Sequence, residues 1–151
     1  MSSTSRGPLP PVFFLGALLL QWGLHSLLPV ARVLSTEWAI FGVAPIALGV
    51  VAMVVAARQF KAAQTGIHPF GKPSALVSTG PFAVSRNPMY VCMVLVLLGA
   101  AIAWGTLSPF VTIPPFVLVL SKRFIPVEEA AMSQAFPAEY EQYKKRVRRW
   151  I

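Results

Sequence analysis

Glu128 and Glu129 are adjacent, and they are two of only five acidic residues in a chain of 151 that carries 13 Lys and Arg. Paired carboxylates accept charge-assisted hydrogen bonds, so the pair can hold an ammonium group or two ribose hydroxyls. A second group, Arg86, Asn87 and Tyr90, falls within one helical turn. Arg86 is a fixed cation able to hold a carboxylate, and the Asn87 amide both donates and accepts but is no base near neutral pH. Arg123, five residues before Glu128, is a further cation within reach of the pair. Each group also has a purely structural reading. The acids favour a helix N-terminus, Asn87 caps a helix, and Tyr90 and Arg86 mark the edge of a membrane span.

The elements that must position these groups are apolar. Hydrophobic residues make up 56% of the chain and charged residues 12%, with mean hydropathy +0.65. Soluble domains carry about 25% charged residues, so this composition belongs to a membrane protein. Residues 12–28 and 38–57 form uncharged runs of 17 and 20 residues, the second matching one crossing of the hydrocarbon core. From Asn87 to Ser121 there are 35 residues without a charge. One helix of that length would be about 52 Å long, well beyond a core of about 30 Å. Gly105-Thr106 supplies a turn, which divides the stretch into spans 88–104 and 107–120. Pro109, Pro114 and Pro115 are expected to bend the second of these, and Pro126 the helix just before the glutamates.

Charge fixes the expected orientation. With four spans and both termini cytoplasmic, every basic residue except Arg32 lies on the cytoplasmic side, 12 of 13, as the positive-inside rule requires. Arg6, Arg58, Lys61, Lys72, Arg86 and the tail from Lys122 all contribute. The spans then bring the loop Arg58–Tyr90 and the segment Lys122–Glu129 to one membrane face. A loop of about 30 residues there exceeds a simple connection, and such loops are often functional.

Residues 1–11 read as a flexible leader. Arg6 before an apolar run also suits a signal peptide, but no A-x-A-like site follows. After the last span, Met132, Phe136, Tyr140, Tyr143, Val147 and Trp150 recur at intervals of 4, 4, 3, 4 and 3, a helical apolar stripe. This predicts an amphipathic tail helix over 130–150 lying on the anionic leaflet, which does not exclude its also covering a site, with Pro137 fitting the first turn of a new helix and an i,i+4 pair of Glu141 and Lys145. Cys92 is the single cysteine and stands with only His25 and His68, so no disulfide and no metal-ligand spacing is expected. No basic surface with interleaved aromatics is laid out for nucleic acid. None of the ten glycines forms G-x-G, so the phosphate-cradling loop of soluble doubly wound folds is missing.

The run Leu76-Val77-Ser78-Thr79-Gly80-Pro81-Phe82-Ala83-Val84-Ser85-Arg86-Asn87-Pro88-Met89-Tyr90, two short spans, Glu128-Glu129, Phe136-Pro137-Ala138-Glu139-Tyr140 and Tyr143-Lys144-Lys145-Arg146-Val147 follow in order. Together they resemble the isoprenylcysteine carboxyl methyltransferase and phospholipid methyltransferase superfamily, over roughly half of the chain, from Ser74 to Ile151. Many relatives have His where this chain has Asn87, and the Asn-Pro-Met-Tyr form is closer to the phospholipid N-methyltransferase branch. In the carboxyl methyltransferases a substrate-binding arginine precedes the glutamates. Its position falls near Phe124, with Arg123 the nearest candidate.

The resemblance implies an all-α polytopic membrane enzyme, a single domain that binds S-adenosyl-L-methionine near the cytoplasmic face and methylates a lipophilic or membrane-embedded substrate. Carried over by position, Ser74, Ala75, Leu76, Val77, Gly80 and Phe82 would line the cofactor site. Asn87, Pro88, Met89 and Tyr90 would form its core, with Glu128 contacting the cofactor and Glu129 beside it. Arg86, Asn87, Tyr90 and Arg123 are the candidates for acting on cofactor or substrate. Two rival readings stand beside this one: a non-catalytic membrane protein whose basic tail binds anionic lipid or a partner, and a small transporter hinted at by Gln21 and His25.

Overall fold

The computed structural model of the chain describes residues 9–65 and 73–151. Arg6, His68, Lys72 and most of the expected leader therefore lie outside the described residues. Every regular element among the described residues is helical.

Proline punctuates the starts. Helix α1 (Pro10–Leu27) opens on Pro10-Pro11, α4 (Pro88–Trp104) on Pro88 and α7 (Pro137–Arg146) on Pro137. A first-turn proline gives up an N–H that has no helical partner anyway. Pro10 and Pro11, expected at the end of a leader over 1–11, already belong to α1. The next apolar run starts with α2 (Thr36–Ala39), passes through a 3-10 turn at Ile40–Gly42 and continues as α3 (Val43–Ala62). Glu37–Ala62 reads as one apolar helix of 26 residues, longer than the run expected over 38–57.

After α4 the backbone at Gly105 turns left-handed, with φ 69°, a conformation that glycine adopts at little cost. The turn is held by the extended segment that follows α1. Val33 and Leu34 donate their N–H groups to Gly105 O, and Leu107 N–H donates to Ala31 O. Beyond it come a 3-10 turn at Ser108–Thr112, α5 (Ile113–Val119), a π-helical turn at Leu120–Phe124 and α6 (Ile125–Ala135). Pro114 and Pro115 fall at the start of α5 and do not break it. The irregular turn lies just ahead of Pro126 instead. Pro126 lacks the N–H that would continue an α ladder, and local π geometry accommodates the gap.

The fourth span was expected to end at residue 120 with a separate tail helix over 130–150. Instead the apolar helix is continuous from Ser108 to Ala135, 28 residues, and the tail is two pieces. Phe136 leaves helical geometry at φ −135°, ψ 65°, as residues before proline are driven to do. The stripe crosses this break. Met132, Phe136, Tyr140, Tyr143 and Val147 pack together with Leu76, while Trp150 packs elsewhere, against the main core. The ion pair of α7 is Glu141 with Lys144, at 2.5 Å, rather than with Lys145.

Helices α3 and α4 pack most extensively on one another. Their backbones meet where Gly42 faces Gly99, so close that a Cβ on either would strike the other's carbonyl oxygen. Small residues that admit such approach are the usual seam between helices in lipid. The main core joins Tyr90, Met93 and Leu97 of α4 to Phe116, Leu120, Phe124 and Ile125. Helix α1 closes it, with Phe13 edge-on to Phe124 and Phe14 against Phe116. The Gln21 amide, fully buried, donates to Leu97 O and Pro109 O at 3.2 and 3.3 Å. His25 bonds Thr106 Oγ1 at 2.9 Å and stacks on Trp104. Both polar residues thus act as interhelical ties.

The outer faces of α1 and α3 expose Leu15, Leu19, Leu20, Trp22, Leu48, Val51 and Val54. Pro10–Leu27, Glu37–Ala62 and Ser108–Ala135 are each long and apolar enough to cross a membrane, whereas α4 has 17 residues.

Candidate functional site

A cavity of about 540 Å³ opens between the start of α1, the end of α3, the loop from Pro73, the first turns of α4, and helices α6 and α7. That is the size of a small-molecule site. Its wall is mostly apolar, with Leu9, Pro10, Pro11, Phe60, Val77 and Met93 among the lining side chains. Set into this wall are Arg86, Asn87, Tyr90, Glu128, Glu129, Tyr140 and Tyr143.

Local sequence explains the arrangement. Gly80-Pro81 starts a 3-10 turn ending at Ala83, which buries Phe82 against Ala56 and Val77 and edge-on to Phe60. Ser85 Oγ then accepts the Asn87 N–H at 3.1 Å, and Pro88 begins α4. Arg86 and Asn87 are therefore held at the mouth of α4, with Tyr90 about one turn further on.

On the opposite wall, the long helix leaves the apolar region at α6. Twenty residues cover a hydrocarbon core at about 1.5 Å each, so a crossing that begins at Ser108 is nearly complete where Glu128 and Glu129 occur. The Tyr90 hydroxyl donates to Glu128 Oε1, and among the described residues no donor reaches the other oxygen of that carboxylate. Glu129 is differently engaged. Arg149 grips it through both oxygens, Nε to Oε1 at 3.0 Å and Nη2 to Oε2 at 2.6 Å, and Arg86 Nη2 lies 3.2 Å from Oε1. The bond to Glu129 holds the Arg149 cation above its ordinary pKa.

Among the described residues, Arg86 Nε and Nη1 are buried without a hydrogen-bond partner, an arrangement that costs free energy unless something accepts from them. Tyr140 and Tyr143 stand beside this cation. Burial pushes both phenols up to about 12, so they remain neutral donors at physiological pH. Tyr143 donates to Phe82 O at 2.5 Å, which fastens α7 over the loop.

Of the expected cofactor residues, the structure brings Ala75, Val77, Phe82, Asn87, Pro88, Met89, Tyr90, Glu128 and Glu129 to one cavity. Ser74, Leu76 and Gly80 stand outside its lining. Ser74 clips the loop to the end of α3 through Thr65 Oγ1 and Gln64 O, Leu76 packs under α7, and Gly80 faces the Gln59 side chain. Arg123 is also apart. Its guanidinium lies over the rings of Phe13 and Phe124, 5.3 and 5.7 Å from their centroids.

Sequence reasoning missed Phe60, Met93, Tyr140, Tyr143 and Arg149. Met93 could have been found, because it lies three residues beyond Tyr90 on the same helical face. Tyr140 and Tyr143 belong to the stripe expected on the leaflet, a placement that leaves the helix free to cover a site as well, and they line the cavity. Among the described residues no group of three or more His, Cys, Asp or Glu could hold a metal ion.

A profile of the phospholipid methyltransferase family matches residues 38–139. The chain belongs to that family. Membership and the three long apolar helices together mark a membrane protein of a methyltransferase family, as the resemblance implied. The cobalt-zinc-cadmium resistance protein CzcN of Cupriavidus metallidurans is 29% identical over 75 residues, 50% of this chain and 34% of that protein. The match thus spans about a third of that relative's length. An uncharacterized protein of Haemophilus influenzae is 33% identical over 63 residues, 42% of this chain and 100% of that protein. No solved structure matches the chain.

Proposed function

We propose that this chain, acting as one domain, transfers a methyl group from S-adenosyl-L-methionine to a lipophilic acceptor at the cytoplasmic face of a membrane. The observation that carries the proposal is that Arg86 and Glu128 line one apolar cavity. Among the described residues, Arg86 has buried N–H donors without an acceptor, and one oxygen of the Glu128 carboxylate meets no donor. An amino-acid headgroup, with its carboxylate and its ammonium, complements both. The residues present therefore fit the methionyl end of the cofactor.

The bound cofactor supplies an electrophilic methyl carbon on a sulfonium. What remains for the protein is to hold, orient and dry the reactants. Arg86 binds the carboxylate end and Glu128, fixed by Tyr90, the ammonium end. Asn87 presents its amide at the mouth of α4. Phe60, Val77, Phe82, Met89 and Met93 enclose the reacting end and keep water out. Neither Asn87 nor the neutral tyrosines is a base near pH 7, so of the polar side chains in the cavity only the two carboxylates are able to take a proton from the acceptor.

The apolar wall at Leu9, Pro10, Pro11 and Met93 suits an acceptor that enters from the bilayer. The membrane topology proposed with this site has four crossings and both termini cytoplasmic, with α4 and the helix after Gly105 forming a short hairpin. The positive-inside distribution supports it, as does the place of Glu128 and Glu129 at the end of a crossing. Against a role as a basic lipid-binding tail alone, α7 turns Tyr140 and Tyr143 inward rather than onto the leaflet.

The test offers methyl-labelled cofactor to nanodisc-reconstituted protein with total membrane lipid, prenylcysteine analogues or small thiols. Label is expected in one apolar acceptor class. Folded protein that binds the cofactor yet labels none of these classes contradicts a lipophilic acceptor.

A further inference from the structure

The end of the chain joins the two walls of the cavity. After α7 the backbone extends at Val147, which is buried with Tyr140 and Tyr143. The Arg86 N–H donates to Arg148 O at 2.9 Å. Asn87 Nδ2 donates to Arg149 O at 2.8 Å, and Ser85 Oγ reaches the same oxygen at 3.4 Å. The Arg149 side chain continues across to Glu129 with its two-pronged grip. One residue thus contacts the loop side through its carbonyl and α6 through its guanidinium. It also lies beyond the residues that the family profile matches, which end at 139.

We infer that Arg149 is a positioning residue of the site, setting the direction of the Asn87 amide and occupying Glu129 so that Arg86 is left for a ligand anion. This rests on the cofactor reading above. First, the bond from Asn87 Nδ2 to the Arg149 carbonyl fixes which end of the amide is engaged, so the Asn87 oxygen is the atom left to accept from a ligand. Second, Glu129 has two cations but only Arg149 meets both of its oxygens. A bidentate guanidinium pair is the stronger claim on a carboxylate. Arg86 touches Glu129 through one nitrogen only, and among the described residues nothing accepts from its Nε and Nη1. Without Arg149, Glu129 becomes a half-buried carboxylate whose remaining partner is Arg86. It then competes with the ligand's own anion for that cation.

The inference is read in cofactor affinity. Full-length protein in nanodiscs is titrated with S-adenosylmethionine by calorimetry as wild type, Arg149→Ala, and Arg149→Ala combined with Glu129→Gln. Loss of Arg149 is expected to weaken binding about tenfold or more, the scale of one charge-assisted hydrogen bond. KM for the cofactor should rise while kcat changes little. Adding Glu129→Gln should recover most of the loss, to within about threefold of wild type, because a neutral amide no longer draws Arg86. A residue that merely held the tail in place would give a double variant as weak as the single one, and that result overturns the inference. Wild-type affinity in Arg149→Ala overturns it equally. If the alanine variant does not fold, Arg149→Lys is read instead. Its single-point contact should give intermediate affinity, and undiminished affinity contradicts the role. Folded wild-type protein that binds no cofactor removes the cofactor reading as well.

Discussion

Tyr90 and Glu128 are 38 positions apart in the chain and share a hydrogen bond at the cavity wall, the phenol donating to the carboxylate. The bond links the first turn of α4 to α6 and holds one oxygen of Glu128. The partner of Tyr90 follows from the turn at Gly105, which brings the start of one apolar helix beside the end of the next.

Tyr90→Phe deletes that donor and leaves a largely buried carboxylate short of a partner. Hydrogen bonds to charged groups contribute about 1.5–3 kcal/mol, so thermal unfolding in detergent should show a loss of that order. Cofactor affinity should fall with it, since Glu128 is no longer fixed. An unchanged melting profile together with unchanged affinity would remove the tie from the account.

Much of this was legible in the sequence, and the failures have causes. The apolar runs, the turn at Gly105 and the convergence of Arg86, Asn87 and Tyr90 with Glu128 follow from hydropathy, glycine and the order of charges. The ends of elements were less legible. Phe136 belongs to a helical stripe by spacing, and periodicity carries no mark of a break there; only Pro137, which fits the first turn of a new helix, points to the start of α7. Arg149 read as one of a cluster of tail cations facing lipid. Its bond to Glu129 depends on tertiary closure, which charge counting does not contain. Arg123 has the right charge and nearly the right position, but Phe13 of α1 and Phe124 hold it on their rings, and α1 lies far away in sequence.

Arg123→Ala is accordingly expected to leave cofactor affinity within about twofold of wild type. It should lower stability modestly, by about 0.5–1 kcal/mol for an exposed cation–aromatic contact. Parallel calorimetric titration and thermal melting check both halves. A tenfold loss of cofactor affinity would bring Arg123 into the site.

Gly105→Ala places a side chain at φ 69°, with its Cβ about 2.9 Å from Leu34 O. The left-handed conformation alone costs about 1–2 kcal/mol for a residue with a Cβ, and the contact adds to it. Lowered thermal stability is expected, whereas Gly16→Ala, where a Cβ meets nothing within 4 Å, should be nearly silent.

The docking of α7 should depend on pH in one direction. Burial raises the Tyr140 and Tyr143 phenols from the ordinary 10.0 to about 12. Between those values the unfolded tail releases protons that the folded one keeps, so stability falls as pH rises. Protection of α7 amides should be level up to pH 10 and decline between pH 10 and about 12. Loss of protection confined to pH values well below 10 would point to another group.

The most direct test of the cofactor site is calorimetric titration of nanodisc-reconstituted protein with S-adenosylmethionine, wild type beside Glu128→Ala. Wild type is expected to bind saturably and one-to-one, and a folded Glu128→Ala variant to lose that affinity by about tenfold or more. Folded wild type that binds no cofactor, or a Glu128→Ala variant that binds it equally well, would contradict the account.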